Sequence, residues 1–118
     1  MSYVVGFLLP VPKKSLKSYR KMAALGKKVW MKHGAVAYME CIGDDLNTGF
    51  GLPFPKIVKP KAGETVVFSF IVYKSKAHRL QVNKKVMSDP LMEQFSPKDM
   101  PFDVKRMCNG GFQVIVEG

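Results

Sequence analysis

The sequence predicts a single α+β domain with the ferredoxin-like order βαββαβ, a four-stranded antiparallel sheet that carries both helices on one face. Four short segments are rich in β-branched and aromatic residues, and two longer segments repeat apolar residues at helical spacing. These segments follow one another in the ferredoxin-like order. A chain of 118 residues suits one hydrophobic core and is too short to divide convincingly into two, so we expect one domain over residues 1–118.

The first half of the chain supplies two strands and the longer helix. Residues 3–9 are apolar and aromatic, and Pro10 and Pro12 are predicted to end this strand because proline cannot donate to a sheet ladder. In residues 15–33 apolar side chains recur at helical spacing, which predicts a helix that stops before a glycine. Residues 35–42 are mostly apolar and too short for another helix, which predicts the second strand.

The second half of the chain begins with a long polar connection. Residues 43–63 are rich in aspartate, glycine and proline, which predicts a surface loop. Residues 65–73 are dense in Val, Phe, Ile and Tyr and are predicted to form the third strand. A second helix is predicted from Ser75, its N-cap, to Ser88, where an Asp-Pro pair closes it. Residues 112–117 follow two glycines and are predicted to form the fourth strand.

Composition limits the class of protein. The chain is 47% hydrophobic and 24% charged, which is typical of a globular protein. No apolar run reaches the roughly 20 residues that span a bilayer, and no basic segment precedes the apolar N-terminal stretch. We therefore expect a cytoplasmic protein without membrane association. Cys41 and Cys108 are far apart and belong to no metal-binding or redox motif, so we expect them to pack as reduced thiols and to form no metal site.

The formal net charge of +10 raises the question of a nucleic-acid partner. Eight of the nineteen basic residues lie in or beside the first predicted helix. They are Lys13, Lys14, Lys17, Arg20, Lys21, Lys27, Lys28 and Lys32. The solvated side of an amphipathic helix explains their spacing more simply than a surface that follows phosphates.

The third strand, V-F-S-F-I-V-Y, resembles the strand on which RNA bases stack in an RRM domain. The RRM motif requires a basic residue where Val66 stands and a glycine where Val67 stands, which disfavours this interpretation. An RNA-binding module that uses Phe68 and Phe70 with the helix lysines therefore remains the second hypothesis.

Both faces of the predicted sheet are apolar, although a sheet with one wet face should alternate apolar and polar residues. In the third strand one side carries Phe68, Phe70 and Val72, and the other carries Val67, Ser69, Ile71 and Tyr73. The face without helices would be a large apolar patch, which favours association. Two sheets packed face to face in a homodimer would cover it. The alternation does not identify which set of side chains meets the partner.

Glu40 is the most informative candidate for function, because a carboxylate in an apolar strand is costly unless it is paired or hydrated. Two interpretations remain open. In the first, Glu40 forms a structural ion pair; the possible partners are Arg79, Lys105 and Arg106. In the second, it lines a polar pocket with Tyr38 and His78.

His78 is a second catalytic candidate, because imidazole titrates near neutral pH and the residue lies near the start of a helix. The alternative role for His78 is a hydrogen bond with the backbone at that helix end. Arg79, Tyr38 and Trp30 are the candidate ligand-binding residues, although core packing explains Trp30 equally simply.

Several blocks of the sequence resemble the YbaA-like bacterial family of unknown function. They are Y-V-V-G-F-L-L-P-V-P-K, A-Y-M-E-C-I-G-D-D, T-V-V-F-S-F-I-V-Y-K-S-K-A-H-R, V-N-K-K-V-M-S-D-P, and M-P-F-D-V-K-R-M with the later G-G-F. The resemblance implies the dimeric α/β-barrel superfamily, in which two ferredoxin-like subunits pack sheet against sheet. That superfamily includes small monooxygenases and isomerases, whose ligands usually lie between sheet and helices. It implies a fold and not a reaction.

The sequence contains no nucleotide-binding glycine motif and no nucleophile elbow, so we expect no cofactor. The leading hypothesis is a homodimer that binds a small apolar or aromatic molecule beside Tyr38, Glu40, His78 and Arg79. Whether it is also a cofactor-free monooxygenase or isomerase stays open. The alternatives are the RNA-binding module and a purely structural or stress-related dimer.

Overall fold

A computed structural model describes residues 1–118, apart from the side chain of Pro97. The strands are β1 (Tyr3–Pro12), β2 (Ala37–Ile42), β3 (Glu64–Tyr73) and β4 (Cys108–Gln113), and the helices are α1 (Leu16–Lys32), α2 (Phe54–Val58) and α3 (Lys76–Met87). All strand pairs are antiparallel, in the order β2-β3-β1-β4. This order is that of the ferredoxin-like fold, and the predicted fold class is confirmed.

Strand β1 is longer than predicted, and the expectation that its prolines end it was wrong. Pro10 pairs with Val66 and Pro12 with Glu64 of β3, whereas the pairing of β1 with β4 ends at Leu8. The carbonyl of Val66 accepts from the N–H of Gly43 on the β2 side, so the nitrogen of Pro10 faces the other way, where β4 has ended. At such a free edge the missing N–H breaks no ladder bond.

The core lies between the sheet and the two long helices. Val29 of α1 and Val82 of α3 pack on Val5 and Ile71 of the sheet. A second cluster joins Tyr19 of α1 to the neighbouring part of the sheet; its other members are Leu9, Val11, Ala23 and Val67. The odd-numbered residues of β1 and β3 therefore face the helices, and the even-numbered residues lie on the other face of the sheet.

The predicted ends of the helices agree with the structure to within about one residue. The hydroxyl of Ser75 accepts a hydrogen bond from the backbone N–H of His78 at 3.0 Å, so the predicted N-cap of α3 is confirmed. Gly34, just after α1, has a φ of 108°, which L side chains rarely adopt and which suits the predicted stop. No helix in the described part of the chain is long and apolar enough to cross a membrane.

Strand β4 was predicted too far along the chain, at residues 112–117 instead of Cys108–Gln113. The error arose because Gly110 and Gly111 suggest a turn, whereas both lie inside the strand. The ring of Tyr3 lies directly over Gly111, and a Cβ atom there would collide with the Tyr3 hydroxyl. The glycine therefore permits a close approach between neighbouring strands.

Asp89 ties the end of α1 to the segment that follows α3. Its carboxylate accepts from Nε2 of His33 at 2.7 Å, from Nζ of Lys32 at 3.1 Å and from the N–H of Leu91 at 2.9 Å. The hydrogen bond from Leu91, followed by those from His33 and Lys32, lowers the pKa of Asp89 from its ordinary 3.8 to about 2. Residues 91–107 start at this anchor.

Candidate functional site

A cavity of about 190 Å³ lies between α1, the sheet and residues 91–107. Its wall is mostly apolar and includes Phe7, Met22, Trp30, Met92, Phe102 and Met107. The polar side chains on the wall are Tyr19, Tyr38, Glu40 and Ser69. The cavity is thus an apolar chamber with one polar end.

Glu40 forms the centre of this polar end. The hydroxyl of Tyr19 donates to Oε1 of Glu40 at 2.7 Å, and the hydroxyl of Tyr38 donates to Oε2 at 2.9 Å. Tyr38 and Glu40 are two residues apart on β2 and pair with Ile71 and Ser69, so they share the face that the helices cover. We call these three residues the Tyr–Glu–Tyr clamp.

The two hydroxyls of the clamp keep their protons well above neutral pH. Burial is the largest cause that raises the pKa of both Tyr19 and Tyr38. The hydrogen bond to Glu40 and the negative charge of Glu40 raise the pKa of each further. Both tyrosines therefore act as hydrogen-bond donors toward the carboxylate.

Gly26 makes room for the clamp on the helix side. It is buried in the middle of α1, and a Cβ atom at this position would lie only 2.6 Å from the Tyr38 hydroxyl oxygen. Glycine inside a helix costs about 1 kcal/mol relative to alanine, so its presence calls for a reason. An isolated glycine within a helical pattern is visible in the sequence, but the sequence alone does not show why it is there.

Both clamp tyrosines pack against another aromatic ring. The ring of Tyr19 meets that of Phe102 edge-on at 5.7 Å between centroids, and the rings of Tyr38 and Trp30 lie 6.2 Å apart. The indole Nε1 of Trp30 is buried and has no hydrogen-bond partner among the residues that the structure describes. Trp30 thus serves both as packing for Tyr38 and as part of the cavity wall.

The interpretation of Glu40 as half of an ion pair was wrong. Arg106 instead forms a bidentate salt bridge with Glu64, with N–O distances of 2.8 and 3.0 Å. No lysine, arginine or histidine of the described side chains comes within 4.0 Å of the Glu40 carboxylate. The polar-pocket interpretation fits better, with Tyr19 in the place proposed for His78.

His78 and Arg79 lie apart from this cavity. Nδ1 of His78 accepts from the N–H of Lys74 at 3.0 Å, and its ring packs edge-on against Tyr73. Arg79 lies over the ring of Tyr3 at 5.9 Å, and its buried Nε has no partner within the described part of the chain. Of the five predicted site residues, the structure brings together Tyr38, Glu40 and Trp30.

A second, open hollow of about 500 Å³ lies on the other side of Glu40. Tyr19 and Glu40 belong to both spaces, and Lys17 and Arg20 line the hollow. Glu40 thus borders two spaces, one with a mostly apolar wall and one lined by two basic side chains. Among the described side chains, no three His, Cys, Asp or Glu residues lie close enough together to hold a metal ion.

The opposite face of the sheet is bare and apolar. Away from α2, the register places on it Val4, Gly6, Leu8, Ala37, Met39, Cys41, Phe68, Phe70, Val72, Cys108, Gly110 and Phe112. The same side continues, at the end beside α2, with Pro10, Pro12, Val66 and Glu64, and Glu64 is paired with Arg106. Met39 is 52% exposed, Phe68 45% and Phe112 64%. We call the twelve positions away from α2 the bare face; none of them carries a charge. Cys41 and Cys108 are exposed on it, so the expectation that they pack was wrong.

Comparison with known proteins identifies the family. Residues 2–104 match the family described as protein of unknown function (DUF1428). The chain belongs to this family. The proteins named Uncharacterized protein YbaA from Escherichia coli (strain K12) and from Shigella flexneri are each 43% identical to it over 117 residues, 99% of this chain and 99% of the relative. The YbaA-like resemblance seen in the sequence is confirmed, and it carries no activity with it.

Proposed function

We propose that the chain binds a small, largely apolar or aromatic molecule in the cavity between α1, the sheet and residues 91–107. The observation that carries the proposal is the Tyr–Glu–Tyr clamp at the end of an otherwise apolar chamber. A carboxylate is costly to place in an apolar setting, and groups in a cleft whose pKa values are strongly shifted, as those of Tyr19 and Tyr38 are, indicate a candidate functional site. Packing alone would be served better by an apolar side chain at position 40.

The size of the cavity limits the ligand. At about 190 Å³ it is smaller than the ~300–1,000 Å³ of sites for drug-sized ligands. A dry apolar cavity of roughly 150 Å³ holds one benzene molecule. The ligand we propose is therefore about one substituted ring or a branched chain of similar size.

If the bound molecule is also converted, proton transfer by Glu40 is the reaction type that this geometry supports. A carboxylate within hydrogen-bond reach of a ligand can accept a proton, and the two tyrosines hold their own protons while it does so. Such a reaction would be a cofactor-free isomerisation. His78 would take no part, because it lies outside the cavity.

Filling the cavity tests the binding proposal. Met107 lines the cavity, whereas Met87 is exposed on α3, so Met107→Trp and Met87→Trp form a matched pair. We expect ethylbenzene to shift amide NMR signals around the cavity in the parent chain and in Met87→Trp, and not in Met107→Trp. Equal shifts in both variants, or none in the parent chain, would contradict the proposal.

We also propose that two copies associate through the bare face. An exposed apolar surface of several strands favours association. The chain has a net charge of +10, so two copies repel each other, and the bare face is a surface on which they can meet without placing charge against charge. A second copy of the chain is the partner that this surface suits.

Sedimentation equilibrium tests the dimer. Phe68 on the bare face and Leu80 on α3 are both exposed apolar residues, so Phe68→Glu and Leu80→Glu add the same charge on opposite sides of the molecule. We expect a dimer for the parent chain and for Leu80→Glu, and a monomer for Phe68→Glu. A parent chain that is still a monomer at about 100 µM would refute the association.

The RNA-binding hypothesis meets a geometrical difficulty. Phe68 and Phe70 belong to the bare face, whereas α1, which carries most of the clustered lysines, packs on the other side of the sheet. Rings and cations would have to act on opposite faces, although RNA-binding sheets use them together. Salt-dependent RNA retention that is lost in Phe70→Ala would support the hypothesis.

A further inference from the structure

We infer that the ligand of the cavity presents a hydrogen-bond donor to Glu40, and that a small arylalkylammonium ion is the class that fits best. This inference rests on the small-molecule binding proposed above and adds the identity of the ligand's polar group. It follows from counting donors and acceptors in the Tyr–Glu–Tyr clamp.

The clamp offers acceptors only. The hydroxyl protons of Tyr19 and Tyr38 are both committed to the carboxylate oxygens of Glu40. Each tyrosine oxygen then has only lone pairs to offer, and each carboxylate oxygen keeps a free acceptor site. Ser69, the remaining hydroxyl on the wall, can accept as well as donate. A ligand group that approaches the clamp with a carbonyl or carboxylate would therefore meet acceptors. The two other donors on the wall, the Ser69 hydroxyl and the indole N–H of Trp30, lie outside the clamp.

The charge of the site points to a cation among the possible donors. No cationic side chain of the described residues lies within ion-pair distance of Glu40. Charge-assisted hydrogen bonds are about twice as strong as neutral ones, and an ammonium group carries three donors. An ammonium ion would thus satisfy free acceptor sites and supply the missing positive charge together.

The remaining surroundings suit this class of ligand. The aromatic rings of Trp30, Tyr19 and Phe102 lie on the cavity wall, and aromatic rings attract ammonium ions through their faces. Lys17 and Arg20 line the open hollow on the other side of Glu40, and both are exposed, so water and salt screen their charge.

Three probes of eight non-hydrogen atoms each separate the possibilities: benzylamine, benzyl alcohol and ethylbenzene. They share the ring and differ in one group, which is a cationic donor, a neutral donor or apolar. We expect benzylamine to bind at least about tenfold more tightly than ethylbenzene at neutral pH, with benzyl alcohol between them. In Glu40→Gln we expect benzylamine to lose that advantage while ethylbenzene binds as before.

The outcomes distinguish this inference from the proposal beneath it. Binding of ethylbenzene together with no preference for benzylamine would overturn the donor inference and leave the cavity proposal standing. Equal affinities for benzylamine and benzyl alcohol would overturn the assignment of a cation. Failure of all three probes to bind would refute both.

Tyr19→Phe provides a second variant in case Glu40→Gln does not fold. It removes one donor from Glu40 and leaves a carboxylate oxygen with a further free acceptor site. We expect the preference for benzylamine over ethylbenzene to rise at least about twofold, since a charge-assisted hydrogen bond is available in place of the lost one. A preference that falls or stays the same would contradict the inference.

Discussion

Both faces of this sheet are largely apolar, and its one carboxylate among apolar neighbours lies on the covered face, unlike in most open antiparallel sheets. In such sheets the covered face is apolar and the open face is polar. Here the covered face contains the Tyr–Glu–Tyr clamp, and the bare face carries no charged residue. The neighbours Met39 and Glu40 on β2 show the contrast within a single step of the chain.

The two faces contribute differently to stability and to binding. The apolar side chains of the bare face add little to the stability of an isolated subunit, because water still covers much of Phe68 and Phe112. Polar atoms on the covered face are costly in a core, and the Tyr–Glu–Tyr clamp offsets part of this cost because both tyrosine hydroxyls donate to Glu40. One face thus suits association, and the other suits a ligand.

Two truncations on β3 should give the largest difference between the faces. Ile71 is buried on the covered face, whereas Phe68 belongs to the bare face. We expect Ile71→Ala to lower the free energy of unfolding by about 2–5 kcal/mol, because it leaves a cavity in the core. We expect Phe68→Ala to cost less than about 1 kcal/mol in dilute protein, where the subunits are separate.

Urea unfolding at about 1 µM and about 100 µM protein would measure both effects. The loss at Ile71 should not depend on protein concentration, whereas the loss at Phe68 should grow with it as the dimer forms. Equal losses at the two positions in dilute protein would show that the faces are not as different as we propose.

A double-mutant cycle at Gly26 tests the clamp with a smaller expected effect. Gly26→Ala should lower the free energy of unfolding by about 1 kcal/mol, because overpacking against the Tyr38 hydroxyl outweighs the gain in helix propensity. In the Tyr38→Phe background the hydroxyl is gone, so the same substitution should stabilise the chain by up to about 1 kcal/mol. Destabilisation of equal size in both backgrounds would mean that Gly26 does not serve the clamp.

The order of the elements was predictable because each segment carries its own periodicity, which the chain expresses locally. Strand β4 was misplaced because a glycine pair suggests a turn locally, and only the ring of Tyr3, far away in sequence, explains Gly111 in a strand. Local patterns contain no information about such a partner. The same limit applies to Pro10, whose tolerance depends on where β4 ends.

The site was predictable only in part, for a related reason. Glu40 and Tyr38 drew attention because a carboxylate in an apolar strand is unusual by itself. Tyr19 was missed because helical spacing places it in the core, and nothing local connects it to a strand 21 residues later. His78 was assigned to the same cleft because it begins a helix after β3, but the start of α3 lies beside Tyr73 rather than beside Glu40.

The smallest effect we expect is the pH dependence that Asp89 adds beside the covered face. Asp89 anchors residues 91–107, and its pKa of about 2 lies below its ordinary 3.8. Because folding lowers the pKa of Asp89, its carboxylate stabilises the folded chain fully above about pH 4. This stabilisation is lost as the pH falls through about 2. The urea midpoint of the parent chain should therefore decline over this window, and that of Asp89→Asn should start lower and decline less.

Asp45→Asn, in the exposed loop, serves as the control and should follow the parent chain. A decline in Asp89→Asn as steep as in the parent chain would place the acid-sensitive group elsewhere and leave the attachment of residues 91–107 to apolar packing.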